Sequence, residues 1–236
     1  MEQILKNIIC IIIPVLNEEK NIKLILKKIF NKIKKIDILF IDDNSKDNSR
    51  KEIKKKCKKY KNIFYIFRDN VKGIGSAHKE GIKWCYKKKY ETIITMDCDG
   101  THDPKYIPKL LNKSKKSDLV LTTRFKSKNS LKDWPIFRKF LTYLRLKLTK
   151  FLLNMDYDAS GAYRCFKTKK IKLKDLIDIE SDNYDYFLES VYILSEKNYM
   201  IQEIPINLPF RKLGKSKMTI RHIFQSLIRL IELKVK

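Results

Sequence analysis

The chain has 236 residues, with 53 lysines and arginines against 27 acids, a formal charge of +26 and a pI near 9.8. This length suits one large domain or two small ones and is enough to bury a core. With 43% apolar and 11% aromatic residues and only six glycines and six prolines, a disordered basic tail, a collagen-like repeat and a proline-rich linker are excluded.

The charge alone leaves three readings: a lysine-rich solvated surface, a nucleic-acid partner, or an anionic membrane or phosphate-rich substrate. Cys10, Cys57, Cys85, Cys98 and Cys165 form an odd set with no C-x-x-C pair. That suggests neither a disulfide framework nor a zinc site, and fits a reducing compartment. The apolar run ending at Ile13 is stopped by Pro14, and no segment reaches about 18 uninterrupted apolar residues. A soluble or peripheral protein is expected.

In chain order, residues 8–13 form a continuous β-branched run, the pattern of a strand buried on both faces. Residues 18–33 are helical, with Ile22, Ile25, Leu26, Ile29 and Ile33 on one face and lysines on the other. Strands follow at 36–41, 63–67, 92–96 and 119–123. Helices lie between them at 48–60, at 76–88 after a glycine turn at Gly73 and Gly75, and from the Asp103-Pro104 start to about residue 115. This alternation predicts right-handed βαβ units: one α/β domain with a mostly parallel, Rossmann-like sheet and helices on both faces. Beyond it, helices are expected at 136–153 and 184–194, and strands at 162–166 and 200–206. Residues 218–235 read as a basic amphipathic helix. Ile220, Ile223, Phe224, Leu227, Ile228 and Ile231 form its stripe, flanked by Arg221, Arg229, Lys234 and Lys236.

Ligands of open parallel sheets bind outside the carboxyl ends of the strands. The segments there are Pro14-Val15-Leu16-Asn17-Glu18, Asp42-Asp43-Asn44-Ser45-Lys46-Asp47, Arg68 with Gly73-Ile74-Gly75, Asp97-Cys98-Asp99, and Arg124. Acidic and polar groups thus converge on one edge of a basic protein. Asp97 and Asp99, two residues apart where a strand runs out, can reach one hard divalent cation, Mg²⁺ or Mn²⁺, shared with a diphosphate. The alternative is a strand-end turn with solvated aspartates. A carboxylate at Asp42 or Asp43 can accept from a base N–H and from ribose hydroxyls, or else form an Asx-turn or helix cap. The 73–81 segment loosely suggests a phosphate cradle, with glycine helix entry as the alternative. His78 and His102 read as lone surface or turn residues.

Taken together and in order, these blocks resemble glycosyltransferase family 2 on the A-type glycosyltransferase fold. Met96 to Pro104, Thr123-Arg124-Phe125, Ser160 to Phe166, Glu203-Ile204-Pro205-Ile206 and Arg211-x-x-Gly214-x-Ser216-Lys217 extend the likeness over nearly the whole chain. The last blocks narrow it to transferases with a polyprenyl-phosphate acceptor, of the dolichyl-phosphate mannosyltransferase group. The resemblance implies that Pro14, Leu16, Asn17, Glu18, Phe40, Asp42, Asp97, Cys98, Asp99, Arg124, Arg211 and Lys217 bind the nucleotide sugar. It implies that Asp97 and Asp99 hold Mg²⁺ or Mn²⁺, that Asp99 and Arg124 are catalytic, and that Arg124, Ser216 and Lys217 meet the acceptor phosphate. It implies a nucleotide-sugar half at 1–125, an acceptor half at 126–217 and the terminal helix at 218–236. GDP-mannose and dolichyl or polyprenyl phosphate are the implied substrates, and another sugar such as glucose or N-acetylglucosamine is the alternative. The implied location is peripheral, on the cytosolic face of the endoplasmic reticulum or of a cytoplasmic membrane, with small transmembrane partner subunits in some members. Cys98 stands where the family usually has Ala and Asn48 where Gly is common, and 182–187 lacks the usual Lys-Gly-Tyr and Gln.

A phosphate monoester has a second pKa near 6 and is mostly dianionic at neutral pH, so as a nucleophile it needs cationic positioning rather than a general base. In-line displacement with inversion is expected. A nucleic-acid role fits poorly: the basic residues are spread along all helices, no recognised motif appears, and the acidic edge would repel phosphates without a cation. The terminal helix can lie on a membrane or pack on the core.

Overall fold

A computed structural model describes residues 8–69, 73–127, 130–209, 211, 213 and 220–235; for residues 220, 221, 223 and 224 only the backbone is described. Seven strands form one sheet: β1 (Ile9–Val15), β2 (Asp37–Asp43), β3 (Ile63–Arg68), β4 (Thr92–Thr95), β5 (Leu119–Thr123), β6 (Arg164–Lys167) and β7 (Ile201–Pro205). Their spatial order is β3-β2-β1-β4-β6-β5-β7. All pairs are parallel except those of β6, which runs antiparallel to both β4 and β5. The strand from the second half is therefore inserted between two strands of the first, and the halves share one sheet.

The period of two divides the core. Cys10 and Ile12 of β1 and Leu39 and Ile41 of β2 face one side. There they meet Ala77, Ile82 and Cys85 of α3 (Ile74–Lys87) and Leu188 and Val191 of α7 (Asp185–Glu196). Ile11, Ile13, Ile38 and Phe40 face the other side. They pack on Ile22, Ile25, Leu26 and Ile29 of α1 (Glu19–Phe30), Ile53 of α2 (Ser49–Lys59), and Ile107 and Leu110 of α4 (Ile107–Lys113). Strands buried on both faces need apolar residues at every position, which is why their sequences run without alternation. A Cβ on Gly81 would meet Ile12 Cγ2 at 2.7 Å, so glycine is what lets α3 lie this close to β1.

β1 runs on through Pro14 to Val15. β4 pairs it only as far as Ile12, so the missing Pro14 N–H falls where one flank is already open. The rest of the chain adds α5 (Ile136–Leu153), the short α6 (Lys174–Ile177) and α8 (Ile220–Val235). α5 and α8 pack on each other over the carboxyl end of the sheet. The apolar stripe expected on the last helix is corrected in part: Leu227 packs against the core as expected, but Ile228 and Ile231 are exposed, and Leu230 and Leu233 are buried instead. Arg229 is no solvated flank either, because it pairs with Glu180, Glu189 and Glu232. Residues 218, 219 and 236 and the side chains of Ile220, Arg221, Ile223 and Phe224 lie outside the described residues.

Candidate active site

A cavity of about 910 Å³ opens at the carboxyl ends of β1, β2, β4 and β5, within the size range of small-molecule sites. Its floor is the loop after β1. Asn17 and Asn44 take φ of 56° and 65°, a left-handed conformation that Asn tolerates better than most residues. The two loops they shape are fastened together. Asn17 N donates to Ser45 Oγ at 2.9 Å, Lys46 N donates to Asn17 Oδ1 at 2.7 Å, and Glu18 N donates to Ser49 Oγ at 2.8 Å. Pro14, Leu16, Asn17 and Glu18 all line the cavity.

Asp97, Cys98 and Asp99 form the adjoining wall. The Asp99 carboxylate accepts from Thr101 N (3.0 Å) and Oγ1 (2.7 Å), which fixes its rotamer. Asp97 N donates to Nδ1 of His102 (2.9 Å), whose ring stacks on Tyr163. His102 lies in the turn after β4, one of its two readings, but it is buried there and accepts a main-chain bond, which corrects the surface reading. Burial holds the Asp97 carboxyl above its ordinary range, His102 opposes this, and Asp99 adds to it. Arg211 reaches in from the far side of the chain: Nη2 contacts Glu18 Oε1 at 2.5 Å and Nη1 contacts Asp99 Oδ2 at 3.3 Å. The acidic wall therefore already gathers positive charge. Among the described residues no cluster of three ligating side chains forms. One carboxylate fixed by Thr101 and a second two residues away, without a third, fit a hard cation that takes its other ligands from a bound diphosphate and water.

Arginines line the same cavity. Arg124 forms a fork with Asp158, Nη2 to Oδ1 at 2.6 Å and Nε to Oδ2 at 2.9 Å, and Nη2 also meets Ser160 Oγ. Asp158 N in turn donates to Glu203 Oε1 at 2.7 Å. Burial disfavours both charges, but their pairing outweighs it, raising Arg124 and lowering Asp158. Arg164 shapes the loop beneath: fully buried, it donates to the carbonyls of Ala159, Gly161 and Phe187 and to Ser190 Oγ, each at 2.7 Å.

Two cavity arginines escaped the sequence reading. Arg138 lies over the Trp134 ring, 4.0 Å from its centre, and Arg145 sits two helical turns further along α5. Burial lowers the Arg145 pKa, with Asp185 opposing and Arg124 reinforcing the shift, and its buried Nη2 has no hydrogen-bond partner. A seven-residue arginine spacing on a lysine-rich helix was the available signal, and it looks the same as a solvated flank.

Two expected nucleotide residues do not line the cavity. Phe40 is fully buried in the core on the α1 side. Asp42 turns to that same side and accepts from Arg50 Nε (2.6 Å) and Ser45 N (3.1 Å), while Asp43 and Asn44 reach the wall. Cys98 lines the wall but packs into the core with 3% exposure. The glycine loop is helix entry: a Cβ on Gly75 would meet Tyr186 Cβ at 2.6 Å, and Ser76 N donates to Asp182 O. His78 is buried, not superficial. Gly214, Ser216 and Lys217 lie outside the described residues.

The architecture is shared with solved structures. Glucosyl-3-phosphoglycerate synthase of Mycobacterium tuberculosis, in complex with Mn²⁺, UDP-glucose and phosphoglyceric acid, matches 96% of this chain and 79% of its own with a TM-score of 0.71 at 13% identity. The same enzyme with Mg²⁺ and UDP gives 0.66. This is the A-type glycosyltransferase fold. The family model "Glycosyl transferase family 2" matches residues 10–172, and the chain belongs to that family. It is 29% identical over 234 residues to the dolichol-phosphate mannosyltransferase of Saccharomyces cerevisiae, covering 95% of this chain and 86% of that one. It is 27% identical over 209 residues to the undecaprenyl-phosphate mannosyltransferase of Micrococcus luteus, covering 88% and 86%. The polyprenol monophosphomannose synthase of Mycolicibacterium smegmatis is 25% identical, covering 94% and 85%.

Proposed function

We propose that this protein is an inverting glycosyltransferase that moves mannose from GDP-mannose to dolichyl or another polyprenyl phosphate, forming a β-mannosyl phosphate lipid for protein glycosylation or GPI-type pathways. The observation that carries this reading is that a single cavity brings carboxylates and arginines together. Asp97, Asp99 and Glu18 line it with Arg124, Arg138 and Arg145. Three relatives from three organisms, all named for mannose and a polyprenyl or dolichol phosphate, support the substrate class.

Asp97 and Asp99 would hold Mg²⁺ or Mn²⁺, which when bound neutralises charge on the departing nucleoside diphosphate. Arg211, now on Glu18 and Asp99, is placed to follow that charge. The acceptor phosphate belongs beside these cavity arginines, with Ser216 and Lys217 as further contacts. Its dianion needs no base, and the Asp158 carboxylate is held by Arg124 and lowered in pKa, so it is unsuited to take a proton. The arginines orient the phosphate oxygen toward the anomeric carbon and offset repulsion from the diphosphate. The protein works on the cytosolic face of a membrane, the endoplasmic reticulum in a eukaryote, with small transmembrane partners where these exist.

The test supplies Mg²⁺ or Mn²⁺, a short polyprenyl phosphate and a panel of labelled GDP- and UDP-sugars. GDP-mannose is expected to label the lipid. Asp97→Asn and Asp99→Asn are expected to lose about 100-fold or more in rate. Transfer from a UDP-sugar alone would overturn the donor, and full activity in either variant would overturn the cation role.

A further inference from the structure

We propose that the outer face of α5, continued by the exposed side of α8, is a docking surface for an anionic lipid bilayer. It is α5 rather than the terminal helix that forms its main part. Ile136, Phe137 and Phe151 are 85%, 72% and 83% exposed, and Phe140, Tyr143 and Leu144 are exposed between them. Positions 136, 140 and 151 repeat at helical spacing and make one stripe along the 18-residue helix, with Leu144 at the border between this stripe and the cavity. Ile228, Ile231 and Val235 of α8 are exposed beside it. Contiguous apolar surface of this kind marks an interaction site rather than ordinary solvated surface.

Charge selects the occupant. Arg138 and Arg145 of α5 line the cavity, but Lys139, Lys147 and Lys150 do not, and the helix has no acidic residue. A second copy laid face to face would set these lysines against their own kind, since a two-fold interface pairs the same patch with itself. An anionic lipid surface complements them, and lysine stems can lie along the apolar stripe with their heads among the headgroups. With five cations α5 cannot span a bilayer, and among the described residues no helix is long and apolar enough to do so. It suits a position in the interface plane. The inner sides of the same helices contribute Thr142, Arg145, Ser226 and Leu227 to the cavity. Docking by the outer faces therefore sets the open site beside the bilayer, where a phosphate on a membrane-embedded chain can enter. That last step rests on the polyprenyl-phosphate reading; the docking itself does not.

The test is vesicle flotation of the full chain. Wild type is expected to float with phosphatidylglycerol-containing vesicles and more weakly with pure phosphatidylcholine. The triple variant Phe137→Ser/Phe140→Ser/Phe151→Ser removes exposed rings that do not line the cavity. Its vesicle affinity is expected to fall about tenfold or more, with an unchanged circular dichroism spectrum. The conservative Phe137→Leu/Phe140→Leu/Phe151→Leu is expected to retain binding. Sugar transfer to a short water-soluble isoprenyl phosphate is expected to survive the serine changes while transfer to vesicle-embedded acceptor falls. Absent flotation of wild type, or undiminished flotation of the serine variant, overturns the proposal. So does a wild-type dimer that the serine variant dissolves, since the face would then be a self-interface. Lost flotation without sugar transfer to either acceptor by wild type upholds docking and removes the proposed function instead.

Discussion

At the scale of single residues, the site depends on charges whose partners are fixed in turn by other buried groups. Glu203 orients the Asp158 amide, Asp158 grips Arg124, and Ser160 completes the fork. Removing one member of a buried pair leaves the other uncompensated, so Asp158→Ala is expected to cost about 3–5 kcal/mol in urea unfolding. Asp158→Asn keeps the shape and is expected to spare more stability while still slowing transfer, because Arg124 loses its fixed orientation. His78 makes a separate claim on pH. It is 1% exposed, it packs edge-on to Phe187, and burial, helped by the Arg164 charge, lowers its pKa to about 3. The unfolded chain takes up a proton on this ring near pH 6.5, where the folded chain does not. Stability contributed by the neutral ring is therefore complete above that pH and is lost on acidification, until the folded ring also protonates near 3. The slope is about 1.4 kcal/mol per pH unit, or about 2 kcal/mol between pH 6.5 and roughly 5. His78→Gln is expected to remove this part of the pH dependence in denaturation series, whatever it costs at neutral pH.

At the scale of elements, α8 is held by ions as well as by Leu230 and Leu233. Arg229 donates to Glu189 of α7 and to Glu180 before it, and it bonds Glu232 one turn further along. Glu189 also accepts from Ser181 and is buried. Arg229→Met is expected to leave that carboxylate short of its partner and loosen α8, seen as faster hydrogen exchange in residues 222–235 with β1 to β4 unchanged. The first half of this architecture was legible because its strands are unbroken β-branched runs and its helices have one clean apolar face. The antiparallel insertion of β6 was not, since pairing order depends on contacts far apart in sequence. Nor was the true buried side of α8: Ile228 and Leu230 are equally apolar, and only the position of α5 and α7 chooses between them. The site was legible where chain position mattered, as with Asp97 and Asp99 at the end of β4. It was not legible where geometry decided, as with Asp42 turning away, His102 turning in, and Arg138 and Arg145 entering from a helix that reads as surface.

At the scale of the whole molecule, the +26 charge is not distributed in proportion. The acidic minority includes Glu18, Asp97 and Asp99 in the cavity, with arginines lining the same space, so the net charge conceals a site of both signs. Apolar rings and lysines then share the outer face above it. A protein arranged this way can bring together a nucleoside diphosphate and a lipid phosphate, two anions that repel each other, only if each has its own countercharge. The most direct test is the structure of the product made from GDP-mannose and a polyprenyl phosphate, read by NMR at the anomeric carbon. A mannosyl phosphodiester of β configuration is the predicted result. A product with the α configuration retained, or mannose transferred to a non-phosphorylated polyprenol in place of the phosphate, would contradict it.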